Sequence, residues 1–261
     1  MIKNLKILPF LILALILTGC SVAVQTTSQA GPADITTDNR YKEMTGNVVV
    51  FGTSIWAIEP GPTGIASRLE EMTSFKVTDN SVSGSMATRV EGDYLEEGSL
   101  ISILLYNDDK YSKRMRDDIT EADYVILAFG GNDQSGGVPA SGEGNSFENA
   151  LRLAVATINR MNPDASIILI SPLNGWTLVD GEYVSFKEID CGGGTLNDYI
   201  DAVEKVAQEE NLLCVNMSEA IDFSKDEPFK YFEDGAHLTE SGRLLYARYL
   251  TEKIYGYFYQ S

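Results

Sequence analysis

The chain has 261 residues and carries 38 Asp and Glu against 20 Lys and Arg, a formal charge of −18. A surface so acidic repels nucleic acid and anionic lipid headgroups, which argues against DNA, RNA and electrostatic membrane binding, while neutral substrates are compatible with it. The length suits one α/β domain, and a single histidine with three cysteines is too few ligands for a zinc site.

At the start, Lys3 and Lys6 precede an apolar run from Ile7 to Leu17, followed by Leu17-Thr18-Gly19-Cys20. The run is shorter than the roughly 20 apolar residues that span a bilayer, and small residues before a cysteine mark a cleavage point. Residues 1–19 are therefore expected to be a bacterial lipoprotein signal. Cys20 would become the lipidated first residue, so the membrane partner is met through this anchor only and the domain works outside the cytoplasm. An uncleaved anchor or an ordinary signal peptide leads to the same compartment. Loss of the two lysines takes the charge to −20. Residues 20–44, rich in Ser, Thr, Gln, Ala, Gly and Pro beyond Cys20, read as a flexible tether, leaving 45–261 as the folded domain.

Within that domain a buried parallel strand is expected at 47–52, and further short apolar runs lie at 75–78, 124–129, 166–170 and 212–215. Between them fall helical stripes: Phe147, Leu151, Ala154, Val155, Ile158 and Met161; then Leu196, Tyr199, Ile200, Val203 and Val206; then Leu244, Ala247, Leu250, Ile254 and Phe258. Alternation of this kind implies a five-stranded, mostly parallel sheet covered on both faces, a three-layer α/β/α domain. Its ligands bind at the carboxyl ends of the strands. After the fourth strand, Trp176 to Val179 and Glu182 to Phe186 alternate on either side of Asp180-Gly181, a hairpin signal. Trp176, Tyr183 and Phe186 then either line a substrate pocket or pack the hairpin onto the domain. Cys191 and Cys214 are equally open to a disulfide or to free thiols.

The chemistry-bearing residues fall just after strands. Ser54 follows the first, in Gly52-Thr53-Ser54-Ile55, where Gly52 offers the chain freedom to turn; a serine there also serves simply to end a strand. Gly84, in Asn80-Ser81-Val82-Ser83-Gly84-Ser85, follows the second and offers a bare backbone N–H. Asn132, in Phe129-Gly130-Gly131-Asn132-Asp133, follows the third and offers a side-chain N–H. The sole imidazole, His237, lies three residues after Asp234, a spacing that lets the carboxylate accept the Nδ1 proton and leave Nε2 free as a base. Asp234 would otherwise cap the last helix, a role for which Thr239 is better placed.

In this order, a serine, a glycine, an asparagine and an Asp-x-x-His, the sequence resembles the SGNH or GDSL-like hydrolases from about Asn47 to the last helix. The third and last blocks match fully, whereas the first has Thr53 and Ile55 where the family commonly has Asp and Leu. The resemblance implies a flavodoxin-like SGNH fold and a serine esterase with Ser54 as nucleophile, His237 as base and Asp234 orienting it. It further implies an oxyanion hole from Ser54 N–H, Gly84 N–H and Asn132, with no cofactor or metal required. The expected partner is a small-molecule or glycan ester, with short O-acetyl esters on extracellular carbohydrate favoured. A lipase, thioesterase or acyltransferase with the same site, and a non-catalytic glycan-binding lipoprotein, are the alternatives.

Overall fold

The computed structural model describes residues 39–93 and 96–260. The signal, Cys20 and most of the expected tether lie outside the described residues. The last six tether positions do not behave as a tether. Asn39–Glu43 form a 3-10 turn in which Tyr41 is buried, its ring edge-on to Tyr255 at 5.2 Å, and Met44 is fully buried. These two apolar side chains anchor a stretch whose average composition is polar.

In chain order, β1 (Thr45–Gly52) leads into a one-turn helix α1 (Ser54–Ala57), then α2 (Ile65–Met72) and β2 (Ser74–Asp79). The next elements are α3 (Leu100–Leu105), α4 (Lys110–Thr120), β3 (Tyr124–Ala128), α5 (Gly131–Ser135) and α6 (Phe147–Met161). Thereafter come β4 (Ser166–Ile170), the pair β5 (Trp176–Val179) and β6 (Glu182–Ser185), α7 (Leu196–Glu210), β7 (Leu213–Val215) and α8 (Glu240–Phe258).

The main sheet has five parallel strands in the order β2-β1-β3-β4-β7. β1 from Val48 onward, β3 and β4 are apolar on both sides because both are covered, whereas the edge strand β2 leaves Ser74, Lys76 and Thr78 exposed. Val49, Phe51, Val125, Leu127, Ile167 and Leu169 face the core shared with α3, α4, α6 and α7. Val48, Val50, Ile126, Ile168 and Ile170 face the core shared with α2 and α8. The three-layer α/β/α fold expected from the sequence is the one observed.

β5 and β6 form a separate antiparallel hairpin. Its turn residues, Asp180 and Gly181, both have positive φ, 52° and 87°, as a two-residue type I′ turn requires. Cys191 and Cys214 are free, and burial pushes the Cys214 thiol up to about 12.

The strand order reverses between β1 and β3, and in such sheets the crevice outside the carboxyl ends at that point is where ligands bind. Ser54 and Asn132 stand on its two sides.

Candidate active site

Ser54 is the first residue of α1, directly beyond β1. Gly52 does not supply the turn that its flexibility suggested, for its φ is unexceptional; it supplies room. A Cβ there would lie 3.0 Å from Ser81 Oγ and 3.1 Å from Trp56 Cδ1. The one-turn α1 is too short to hold itself and is pinned by Trp56, whose indole N–H donates to Tyr246 OH of α8 at 3.2 Å. Burial pushes the Tyr246 phenol up, so it stays neutral and accepts that bond.

His237 sits on a turn tied by its own main chain. Glu233 N–H donates to His237 C=O at 2.8 Å, and Phe232 and Leu238 form a bridge below it. Thr239 caps α8 by accepting Gly242 N–H at 3.1 Å, which leaves Asp234 for another task. One Asp234 oxygen accepts the backbone N–H groups of Ala236 and His237 at 3.0 and 2.8 Å, and the other meets His237 Nδ1 at 2.7 Å. Burial alone would raise this carboxyl. The bonds from the imidazole and the two backbone N–H groups outweigh it and hold Asp234 below the usual carboxylate range. His237 Nε2 lies 3.1 Å from Ser54 Oγ, 183 positions away in the chain.

Facing them, Asn132 lines the cleft from the first turn of α5 and donates through Nδ2 to Ser85 C=O at 2.8 Å. That leaves its second Nδ2 proton available. Gly84, at φ 78°, occupies the corner of a turn closed by Ser85 N–H to Val82 C=O at 3.1 Å. Gly84 is not among the residues that line the cleft.

Between the two sides lies a cleft of about 110 Å³ bordered by Ser54, Ile55, Phe129, Asn132, Leu173 and Phe186. Of the three hairpin aromatics expected as substrate contacts, Phe186 borders it. Trp176 and Tyr183 do not: they pack edge-to-face with each other at 4.7 Å and with Phe229 at 5.3 and 5.9 Å. An alternating strand presents its aromatics to the partner surface that buries them, and here that surface is Phe229 rather than the cleft.

Sequence reasoning missed Asp133. It is fully buried, and its two oxygens accept the backbone N–H groups of Ala87 and Thr88 at 3.1 and 3.0 Å. Burial raises this carboxyl above its ordinary range despite those bonds. Asp133 thereby ties the loop carrying Gly84 and Ser85 to the loop carrying Asn132. The motif containing it was visible, but nothing local distinguishes a buried brace from a surface turn residue. No cluster of metal-ligating side chains occurs among the described residues, and none of their helices is long and apolar enough to cross a membrane.

The model of the GDSL-like lipase/acylhydrolase family matches residues 49–244. The chain belongs to this family. As a GDSL-like hydrolase it is a carboxylic ester hydrolase. No curated protein matches it in sequence. Its fold is similar to that of a carbohydrate acetylesterase from Sinorhizobium meliloti, at TM-score 0.59 and 15% identity, covering 81% of this chain and 99% of that one. A possible lipase from Chitinophaga pinensis is similar at TM-score 0.57 and 16% identity, covering 83% and 100%. An acetyl xylan esterase is similar at TM-score 0.52 and 16% identity, covering 81% and 99%. At such identities the likeness of this GDSL-like hydrolase to its neighbours is one of fold.

Proposed function

We propose that this hydrolase cleaves short-chain carboxylic esters through an acyl-enzyme on Ser54, with O-acetyl groups on extracellular carbohydrate as the substrate class. The observation that carries the reading is the relay Ser54 Oγ to His237 Nε2 at 3.1 Å and His237 Nδ1 to Asp234 at 2.7 Å. Asp234 holds the imidazole with its proton on Nδ1, so Nε2 takes the Ser54 hydroxyl proton as Oγ attacks the ester carbonyl. Ser54 N–H, a free first amide of α1, and the spare Asn132 Nδ2 proton stabilise the developing oxyanion. Gly84 N–H, the third donor that the resemblance implies, does not border the cleft and is given no part in this step. His237 then protonates the leaving alcohol, and the same imidazole activates the water that releases the acid.

The small, apolar-walled cleft supports a short acyl group. The acetylesterase names of two fold neighbours agree with a carbohydrate ester, as does a charge of −18, which disfavours anionic substrates. The test is release of acetate from acetylated polysaccharides, and turnover of p-nitrophenyl esters of rising chain length, by the native protein and Ser54→Ala. Activity confined to short acyls and lost in Ser54→Ala is the expected outcome. A Ser54→Ala protein with full turnover would end the nucleophile assignment, and preference for long acyls would end the substrate class.

Export as a lipoprotein belongs to the same proposal and rests on Leu17-Thr18-Gly19-Cys20. Metabolic labelling with a radioactive fatty acid should mark the native chain and not Cys20→Ala.

A further inference from the structure

The β5–β6 hairpin is an arm outside the main sheet, yet its base touches both halves of the site. On one side, Gln134 of α5, two residues from Asn132, donates through Nε2 to the carbonyls of Phe186 and Ile189, each at 3.0 Å. On the other, Trp176 N–H donates to Gly235 C=O at 2.9 Å, inside the turn that carries Asp234 and His237. Between these contacts Asn174 Oδ1 accepts Ser185 Oγ–H at 2.8 Å and Lys187 N–H at 3.3 Å, closing the hairpin base.

The contact with the histidine turn is backbone against backbone. A Cβ on Gly175 would lie 1.8 Å from Gly235 C=O, and one on Gly235 would lie 2.2 Å from Trp176 C=O and 2.8 Å from the indole ring. Gly235 also has φ 91°, a conformation open chiefly to glycine. The indole that fills the remaining space is fixed on its far side. Its Nε1–H donates to Pro228 C=O at 2.8 Å, and its ring meets Tyr183 and Phe229. Trp176 is 6% exposed although it starts a strand whose next three residues are exposed. A side chain packed on Gly235, two residues before His237, and fixed from its other sides leaves the turn no freedom to carry the imidazole away from Ser54.

We propose that the hairpin is a bracket for the catalytic turn, with Trp176 a positioning residue that acts on His237 through Gly235. The inference rests on the relay reading above, because it assigns the imidazole a fixed working position. A reacting group displaced by about 1 Å loses on the order of 10²-fold in rate, so a loosened bracket lowers kcat far more than it raises KM.

The experiment uses the chain's sole histidine, which makes selective ¹⁵N-histidine labelling report on one imidazole. In the native protein, without substrate, the spectrum should show a single tautomer protonated on Nδ1. Trp176→Ala should add the other tautomer or broaden both resonances and lower kcat on the order of 10- to 100-fold, with KM changed little. Trp176→Phe, which keeps an aromatic ring against Gly235, should recover most of the lost rate and the single tautomer. If Trp176→Ala fails to fold by circular dichroism, Phe229→Ala decides instead. Phe229 is 54% exposed and its removal only frees one side of the indole, so the same two changes should appear in weaker form. A folded variant with native imidazole spectrum and native kcat overturns the proposal. Because the spectrum is read without substrate, failure of Ser54 as nucleophile would leave the tautomer result standing and separately judged.

Discussion

Asp133→Asn separates two forces on the buried carboxylate that braces the site. In the native protein each oxygen accepts one backbone N–H, from Ala87 at 3.1 Å and Thr88 at 3.0 Å, in a position with no solvent contact. The carboxamide keeps one acceptor and turns an NH₂ group toward the other backbone donor, leaving it unpaired. A buried unpaired donor costs about 1–3 kcal/mol. The amide also escapes the penalty of burying a charge, which places the net loss at neutral pH near the lower end, about 1 kcal/mol. The dependence on pH tells the two contributions apart. Burial raises the Asp133 carboxyl above its ordinary 3.8. Between 3.8 and the raised value the folded chain therefore holds more protons than the unfolded one, and native stability falls as pH rises through that window. The carboxamide of the variant does not titrate. The native advantage over the variant must then grow as pH is lowered from neutral toward about 4. Urea unfolding of both proteins across that range, with m-values shown to match, measures it. A gap that shrinks on acidification would refute the reasoning, since it would mean the two N–H bonds outweigh burial and the carboxyl sits low.

Three further outcomes follow from the site. Asn132→Ala removes one oxyanion donor and should lower kcat on the order of 10²–10³ with KM little changed; single-turnover kinetics checks it, and an unchanged rate removes Asn132 from the oxyanion hole. Asp234→Asn places an amide against His237 Nδ1, favours the wrong tautomer and should cost up to about 10⁴ in kcat, read under saturating p-nitrophenyl acetate. Phe186→Ala opens one wall of the cleft, so the ratio of kcat/KM for butyrate over acetate esters should rise by at least about tenfold. A ratio that stays put would place the acyl group elsewhere.

Much of this protein was settled by local sequence. Runs such as Val48-Val49-Val50-Phe51 are apolar at every position, so they fit a strand covered on both faces, and the period of α6 and α7 marks which side meets the sheet. Asp180-Gly181 dictated a tight hairpin through its backbone preferences. Asp234 and His237, three residues apart, meet because one turn spans that distance. Other features depend on contacts between segments far apart in the chain, which no local pattern encodes. The 3.1 Å approach of His237 to Ser54 exists because β1 and the turn before α8 end at one sheet edge. Whether Trp176 and Tyr183 face substrate or Phe229 was open until the hairpin's packing partner was known. Asp133 became a brace only once burial removed water and the Ala87–Thr88 backbone supplied its donors, for desolvation is a property of the assembled layers and not of any stretch of chain.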